Sequence, residues 1–207
     1  MIRVAEAAWL LELGSSAQVL AAHRTLLAAR DPRLRELVPG ASTLLVVLDD
    51  DAADDADDAG TLLARVEREA HATPAVAEEP VARTHRIPVR YDGEDLAEVA
   101  RHAGLSVEEA VARHAAAEYR VAFVGFQAGF AYLAGLPREL HVPRRASPRP
   151  RVPLGSVAIG GEWTGIYPSP TPGGWNLVGT TDVPLFVPDA EPPALLQPGD
   201  RVRFVAR

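Results

Sequence analysis

Two residue types are missing from the 207-residue sequence, cysteine and lysine. The absence of cysteine excludes disulfide bonds, thiolate nucleophiles and metal sites with cysteine ligands. All 21 basic side chains are therefore arginines, and neither a Schiff-base lysine nor the lysine of a phosphate-binding P-loop can occur. An anion site must consequently use arginine, histidine or backbone N–H groups. Because arginine stays protonated, it can bind an anion but is a poor general base.

Long apolar runs are also missing, since none approaches the roughly 20 residues that a membrane-spanning helix requires. The first 13 residues contain Glu6 and Glu12, and they lack the charged-then-apolar order of a signal peptide. We therefore expect a cytoplasmic protein that has no contact with a membrane.

The net charge of −7 is unevenly distributed. Residues 1–80 hold 15 acidic residues and 7 arginines, whereas residues 81–207 hold 13 acidic residues and 14 arginines. A nucleic-acid-binding surface needs an excess of basic residues, so we expect no nucleic-acid partner. Seven aspartates lie between Asp49 and Asp58. Their spacing is not that of an EF-hand, which favours a solvated loop and leaves a cation site as the alternative.

The periodicity of residues 1–80 predicts a small two-layer α/β domain with its helices on one sheet face. Glycine, proline and serine separate the predicted elements, which are strands at 7–13 and 43–48, a short strand between 32 and 39, and helices at 17–30 and 61–72. Two prolines within 73–80 place the domain boundary at residue 80.

Residues 81–207 have a different pattern, in which short apolar runs are broken by glycine and proline. A strand is predicted at 86–91, followed by helices at 92–100 and 106–114, the second opened by a Ser106–Glu109 capping box. Many short strands follow, and the last, at 201–206, comes after a Pro-Gly-Asp turn. This succession predicts a closed or nearly closed β-barrel.

Three motifs in the barrel region carry chemistry. Glycine alternates with aromatic residues in 125–133, residues 172–175 read Pro-Gly-Gly-Trp, and four arginines fall within 144–151. Glycine permits close backbone approach, aromatic side chains can wall a cavity, and a glycine turn can present N–H groups to an anion. Each motif also has a simpler interpretation, as a bulged barrel strand, a hairpin turn with a core tryptophan, and a solvated or partner-facing basic surface.

The order of these motifs resembles one known family. The motifs are, in chain order, HRIPV at 85–89, His114 followed by Tyr-Arg-Val at 119–121, GFQAGFAYLAGLP, PRRASPRPRVPLGSVAIGG, TGIYP, TPGGWNLVGTT and PPALLQPGDRVRF. Together they are similar to the motifs of the family of 5-oxoprolinase B subunits, also called allophanate hydrolase subunit 1. The similarity is close over the second part and looser over residues 1–80. The sequence departs from the family pattern at Ala128, where proline is usual, and at Thr180, where arginine is usual. The glycine-rich stretch after the His85 motif is also shortened, to Tyr-Asp-Gly-Glu-Asp at 91–95.

The resemblance implies an α+β N-terminal domain, residues 1–80, and a cyclophilin-like β-barrel, residues 81–207. It implies one component of an ATP-dependent amide hydrolase that opens 5-oxoproline to glutamate, or of a related allophanate or urea system. The implied partner is a C subunit of the allophanate hydrolase subunit 2 type, joined in some systems by an A subunit. ATP with Mg²⁺ would act at the level of the complex rather than on this chain alone.

We assign roles to ten side chains or backbone positions from their chemistry. Arg144 and Arg149 are the predicted anion clamps, with Gly173 and Gly174 supplying backbone N–H groups. The predicted pocket walls are aromatic, namely Phe126, Phe130, Tyr167 and Trp175. His114 and Tyr119 are the candidates for proton transfer. A structural histidine at a helix end is the alternative for His114.

Two other functions fit the sequence. A non-catalytic regulator that binds and inhibits a sensor histidine kinase, as one family member does, would tolerate the loss of a pocket arginine at position 180. Prolyl isomerase activity would follow only from analogy with the fold. The enzyme component is the main hypothesis because the arginines and glycines occur together.

Overall fold

The structure, a computed structural model, describes residues 1–49, 56–72 and 83–207, and for residues 56–59 only the backbone. Most of the aspartate run and the expected boundary segment 73–80 lie outside the described residues. The chain forms two compact units, Met1–Pro80 and Val81–Arg207. No described helix has the length and apolar character needed to cross a membrane.

In its described residues, 1–49 and 56–72, the first unit is a four-stranded antiparallel sheet with two helices. Its elements are β1 (Ile2–Ala5), β2 (Ala8–Glu12), α1 (Ser16–Ala29), β3 (Leu34–Pro39), β4 (Thr43–Leu48) and α2 (Ala56–Ala72). The strand order is β1-β2-β4-β3, so that β1 and β3 are edge strands.

Alternation of side chains decides which face of this sheet is buried. In β4, Leu44, Val46 and Leu48 are buried and the residues between them are half-buried, because successive side chains point to opposite faces of a strand. The buried face packs against α1 and α2 in a single core cluster. The Ser15 hydroxyl caps α1 by accepting a hydrogen bond from the Gln18 N–H, 3.3 Å, which satisfies one of the free amides at the helix start.

The second unit contains nine strands, two α-helices and a short 3-10 helix at Arg138–Leu140. Its elements are β5 (Thr84–Val89), α3 (Leu96–Ala103), α4 (Val107–Ala116), β6 (Tyr119–Val124), β7 (Ala131–Ala134), β8 (Arg149–Val152), β9 (Ser156–Gly160), β10 (Trp163–Ile166), β11 (Thr171–Gly173), β12 (Asn176–Thr180) and β13 (Arg201–Ala206). The predicted capping box of α4 is present, with both Ser106–Glu109 hydrogen bonds formed.

Seven of these strands form one sheet in the order β12-β9-β10-β7-β6-β13-β5. Its two edges meet where Arg90 and Thr180 exchange two backbone hydrogen bonds, of 2.9 and 2.7 Å. Closure removes unpaired strand edges. The predicted fold class, a small α+β unit followed by a β-barrel, is confirmed.

The remaining strands, β8 and β11, form a two-stranded ribbon whose residues pack on the outside of the barrel. This packing buries the outer face of the barrel wall, most clearly in β9, where all five residues are buried. Val157 and Ile159 belong to the main core with Leu133, whereas Ala158 belongs to a second cluster with Trp175. Both faces of the barrel wall are therefore covered on this side, and the candidate site lies in the outer layer.

Candidate functional site

A hollow of about 90 Å³ opens in the outer layer of the barrel unit. Its wall combines the 125–130 turn, strand β7, the loop before β8 and the segment from β10 to β12. The lining residues are Phe126, Phe130, Tyr132, Arg144, Tyr167, Pro172, Gly173, Gly174 and Trp175. Seven of the ten predicted site residues are in this set, although they come from separate stretches of sequence.

Phe130 is the centre of the aromatic wall. Its ring meets those of Tyr132, Tyr167 and Trp175 edge to face, with centroids 5.1, 5.2 and 5.4 Å apart. Such edge-to-face pairs are favoured by the ring quadrupoles and fix ring orientation. Phe126, by contrast, is 61% exposed and lies at the rim, with its backbone in the left-handed region at φ 71°, where non-glycine residues are strained.

Two glycines allow the wall to close up. A Cβ at Gly160 would lie 2.6 Å from the Trp175 ring, and one at Gly173 would lie 2.5 Å from the Tyr167 hydroxyl oxygen. No side chain fits at such distances. Glycine at these two positions therefore lets the side chains of Trp175 and Tyr167 pack directly against the backbone.

Replacing Gly160 with alanine is expected to displace Trp175 from the wall and to lower the free energy of unfolding by about 1–3 kcal/mol, the usual cost of overpacking. Urea denaturation and the near-ultraviolet circular dichroism of the tryptophans would measure both effects. Gly125→Ala is the matched control, because a Cβ there has nothing within 4 Å. Equal stability of the two variants would contradict the assignment of Gly160.

The arginines of the 144–151 segment do not all face the hollow. The Asp95 Oδ1 atom accepts hydrogen bonds from both Arg145 and Arg149, each 2.8 Å. Arg149 also contacts Glu94 at 2.6 Å and does not line the hollow. The structure therefore does not bring Arg149 to the hollow, because nearby carboxylates hold its guanidinium group elsewhere.

Arg144 is the arginine that lines the hollow. Its guanidinium carbon lies 5.9 Å from the centroid of the Trp175 ring, a cation–π distance. Within 83–207 and the other described ranges, no carboxylate forms an ion pair with it. The Gly174 carbonyl accepts a hydrogen bond of 2.8 Å from the Arg145 N–H, which connects the turn at Gly173 and Gly174 to the arginine segment.

His114 and Tyr119 lie in the barrel core rather than at the hollow, with exposures of 2% and 0%. The Thr164 hydroxyl donates to the Ala158 carbonyl, 2.9 Å, so its oxygen accepts from His114 Nε2–H, 3.0 Å. His114 Nδ1 then accepts from the Tyr91 hydroxyl, 2.8 Å. Burial lowers the pKa of His114 to about 3, so the imidazole is neutral at pH 7.

Tyr119 has an equally fixed position, because its hydroxyl donates to the His114 carbonyl at 2.8 Å. Burial raises the pKa of Tyr119, which keeps the phenol protonated. The geometry thus gives neither His114 nor Tyr119 access to a ligand in the hollow. We therefore leave both out of the mechanism.

Three residues at or near the site are missing from the predicted set: Tyr132 and Pro172, which line the hollow, and Asp95, which holds the arginine segment. Asp95 is buried and also accepts a hydrogen bond of 2.7 Å from the Leu177 N–H, so it links the start of α3 to β12 as well as to the arginines. Its position directly before the apolar periodicity of α3 is a helix-start signal. That signal indicates a cap and says nothing of the distant arginines.

The departure from the family pattern at Thr180 lies at the barrel seam. Its hydroxyl donates to Asp92 at 2.9 Å and accepts from Arg90 at 3.1 Å. Thr180 is not among the residues that line the hollow. The threonine therefore leaves the cation of the hollow, Arg144, unaffected.

Comparison with known proteins agrees with this architecture. Residues 2–196 match the carboxyltransferase domain family, subdomain C and D. The B subunit of 5-oxoprolinase from Escherichia coli O157:H7 is 48% identical over 179 residues, which are 84% of this chain and 78% of that protein.

Solved structures extend the similarity to the fold. TTHA0988 is 40% identical with a TM-score of 0.80 over 97% of this chain, which spans only 40% of TTHA0988. The urea carboxylase of Kluyveromyces lactis, at 17% identity, matches 97% of this chain with a TM-score of 0.69 and shows the same fold over 21% of its own length. Together with the matches in sequence, these findings show that the chain belongs to the family of 5-oxoprolinase B subunits, within the carboxyltransferase subdomain C and D proteins.

Proposed function

We propose that this chain is the B subunit of an amide-processing enzyme of the 5-oxoprolinase type and that its hollow binds the carboxylate end of the substrate. The observation that carries the proposal is the position of Arg144, a cation that faces the hollow without a carboxylate partner among the described residues. The family relationship supplies the substrate class, since the Escherichia coli relative is the B subunit of a 5-oxoprolinase.

Arg144 and the aromatic wall suit the two ends of such a ligand. A guanidinium group can donate two parallel hydrogen bonds to a carboxylate, and the carboxylate of 5-oxoproline is joined directly to a five-membered lactam ring, one edge of which consists of CH2 groups. Phe126, at the rim, offers an exposed apolar surface to that ring, and the buried Phe130 and Trp175 help to keep water away from the ion pair, which strengthens it. Gly173 and Gly174, at the same wall, would add backbone N–H groups.

The size of the hollow supports a site shared with another chain. Ligand sites for small molecules ordinarily enclose about 300–1,000 Å³, whereas this hollow has about 90 Å³. It can hold the carboxylate and the adjoining CH2 edge of the ring, and it leaves the amide bond of the lactam outside. We propose that a C-type partner of the allophanate hydrolase subunit 2 kind covers the exposed lactam, and that an A-type component joins them in the complete enzyme.

The bond-breaking groups would then come from those partners. The chain has no cysteine or lysine, and its buried His114 is neutral and enclosed. A lactam is stabilised by resonance, so opening it near neutral pH requires activation, for which ATP-dependent phosphorylation of the lactam oxygen is the proposed route. This chain binds and orients the substrate while that charge develops on oxygen.

The described residues do not fit a site for ATP and Mg²⁺. No group of three histidine, aspartate or glutamate side chains within the described ranges could hold a metal ion, a P-loop lysine is absent from the sequence, and the hollow is too small for a nucleotide. We therefore assign the nucleotide to a partner chain.

The co-purified complex should release glutamate from 5-oxoproline in an ATP-dependent reaction. Arg144→Gln is expected to raise the KM for 5-oxoproline by about tenfold to a hundredfold with a smaller change in kcat, because the lost ion pair binds substrate and transition state alike. The exposed Arg151 lies on β8, in the same arginine segment but outside the hollow, so Arg151→Gln should leave KM unchanged. An unchanged KM in Arg144→Gln would refute the proposed role of the hollow.

A further inference from the structure

A larger hollow lies in the first unit, separate from the site on the barrel. It is a groove of about 350 Å³ between the C-terminal half of α1 and strand β3. The residues that line it are His23, Leu26, Leu27, Arg30, Asp31, Leu34, Arg35, Glu36 and Leu37. Its volume falls within the range of about 300–1,000 Å³ that is typical of small-molecule sites.

The floor of the groove is formed by leucines. Leu26 is fully buried in the core of the unit, and Leu34 and Leu37 pack against that core. Leu27, on the adjoining helical position, is 55% exposed. An exposed leucine next to a leucine floor forms a continuous apolar surface that would lose contact with water if an aliphatic chain occupied the groove.

Two backbone irregularities bring arginines to this apolar surface. Arg30 ends α1 in the left-handed conformation, at φ 47°, where glycine is the usual and less strained residue. Arg35 lies where the β3–β4 register shifts, between Leu34 and Glu36, and such bulges redirect a side chain. Strain and bulges of this kind concentrate at functional sites.

The charges around the groove leave its mouth positive. Neither Arg30 nor Arg35 has a side-chain hydrogen bond or ion pair in the part of the chain that the structure describes. Asp31 is already paired, because its carboxylate binds the Arg33 guanidinium at 2.9 and 2.7 Å. Among the described residues that line the groove, Glu36 is then the remaining carboxylate against two guanidinium groups.

His23 adds no charge to the mouth at neutral pH. Burial, followed by the nearby Arg24 charge, lowers the pKa of His23 below its ordinary value, so the ring is neutral at pH 7. A neutral imidazole can donate or accept one hydrogen bond at the groove wall.

We propose that this groove is a binding site for a small carboxylate with an aliphatic chain, whose chain lies on Leu27, Leu34 and Leu37 and whose carboxylate lies between Arg30 and Arg35. Guanidinium groups match a carboxylate in charge and in hydrogen-bond geometry. At about 30 Å³ per water molecule, the groove displaces roughly a dozen waters, enough space for a chain of about eight carbons. The site is independent of the function proposed for the barrel unit.

Octanoate is the probe, and isothermal titration calorimetry on the full chain is the measurement. We expect saturable binding that weakens about tenfold in Arg35→Gln. Octanol, which has the chain without the charge, and acetate, which has the charge without the chain, should bind far more weakly. Arg65→Gln is the control, because Arg65 is an exposed arginine of the same unit, near Glu69 on α2.

Arg30→Gly separates binding from folding. Glycine adopts the left-handed conformation without strain, so the variant should keep or raise the melting temperature while octanoate binding weakens about tenfold. No binding of octanoate at millimolar concentration, or binding unchanged in both Arg30→Gly and Arg35→Gln, would overturn the proposal. So would binding of an acidic amphipathic peptide in place of octanoate, because the groove would then be a protein-docking site.

Discussion

Asp95→Ala is expected to lower the free energy of unfolding of the barrel unit by about 3–5 kcal/mol, the range found when one partner of a buried ion pair is removed. Asp95 holds Arg145, Arg149 and the Leu177 N–H at once. Its loss leaves the Arg149 side chain, 13% exposed, and a buried backbone amide without that partner. Native-state hydrogen exchange of the β12 amides measures the effect within the barrel unit itself.

Glu94→Ala is the matched control for Asp95→Ala. Glu94 is the neighbouring carboxylate, it binds the same arginine, and its side chain is 65% exposed. Exposed ion pairs contribute no more than about 1 kcal/mol, so the variant should remain close to the parent chain. If both variants lose the same stability, Asp95 is not the residue that joins α3, the arginine segment and β12.

Because of His114, the barrel unit is expected to lose stability as the pH is lowered from about 6.5 to about 3. Burial lowers its pKa in the folded state from 6.5 to about 3, so in this interval the unfolded chain binds a proton that the folded chain does not. His114 therefore does not reduce the free energy of unfolding above the unfolded pKa. Below it, the free energy of unfolding decreases as pH falls, by up to about 1.4 kcal/mol per pH unit. Urea denaturation at a series of pH values measures the slope.

His114→Gln should remove this slope while retaining polar atoms near Tyr91 and Thr164. The diagnostic quantity is the difference in slope between the two proteins, whatever their absolute stabilities. His102, in the last turn of α3, is exposed, and His102→Gln should keep the parental slope. A parental slope in His114→Gln would mean that other groups cause the acid sensitivity.

Element positions can be predicted where one physical signal dominates. The strands at 43–48 and 201–206 have their predicted bounds. The first is a continuous apolar run between Gly40 and the aspartate run, and the second has an alternating pattern that follows a Pro-Gly-Asp turn. Strand β1 is not predicted, since all four of its residues are exposed and an edge strand with little burial has no hydrophobic pattern to detect. Helix α3 begins at Leu96 rather than at residue 92, because the Gly93 backbone lies against that of Leu177 and Val178.

The candidate site can likewise be predicted only where the local sequence determines it. Glycine and aromatic residues in 125–133 and 172–175 indicate a wall, because close approach and flat rings need those residue types. The sequence does not predict that Arg144 lines the hollow whereas Arg145 and Arg149 bind a carboxylate. That difference depends on Asp95, which lies far from Arg145 and Arg149 in sequence. Burial of His114 likewise follows from packing against Phe204, 4.8 Å between ring centroids, and not from the sequence near the histidine.

The position of β13 between β6 and β5 has a kinetic consequence. Thr84 pairs with Arg201, so the first strand of the barrel unit finds its neighbour only after nearly the whole unit has been brought together. Loops of that length close slowly, and contacts between distant residues are associated with slow folding. The first unit pairs strands that are near in sequence and can form early, while the apolar strand β9 stays open to aggregation until the barrel closes.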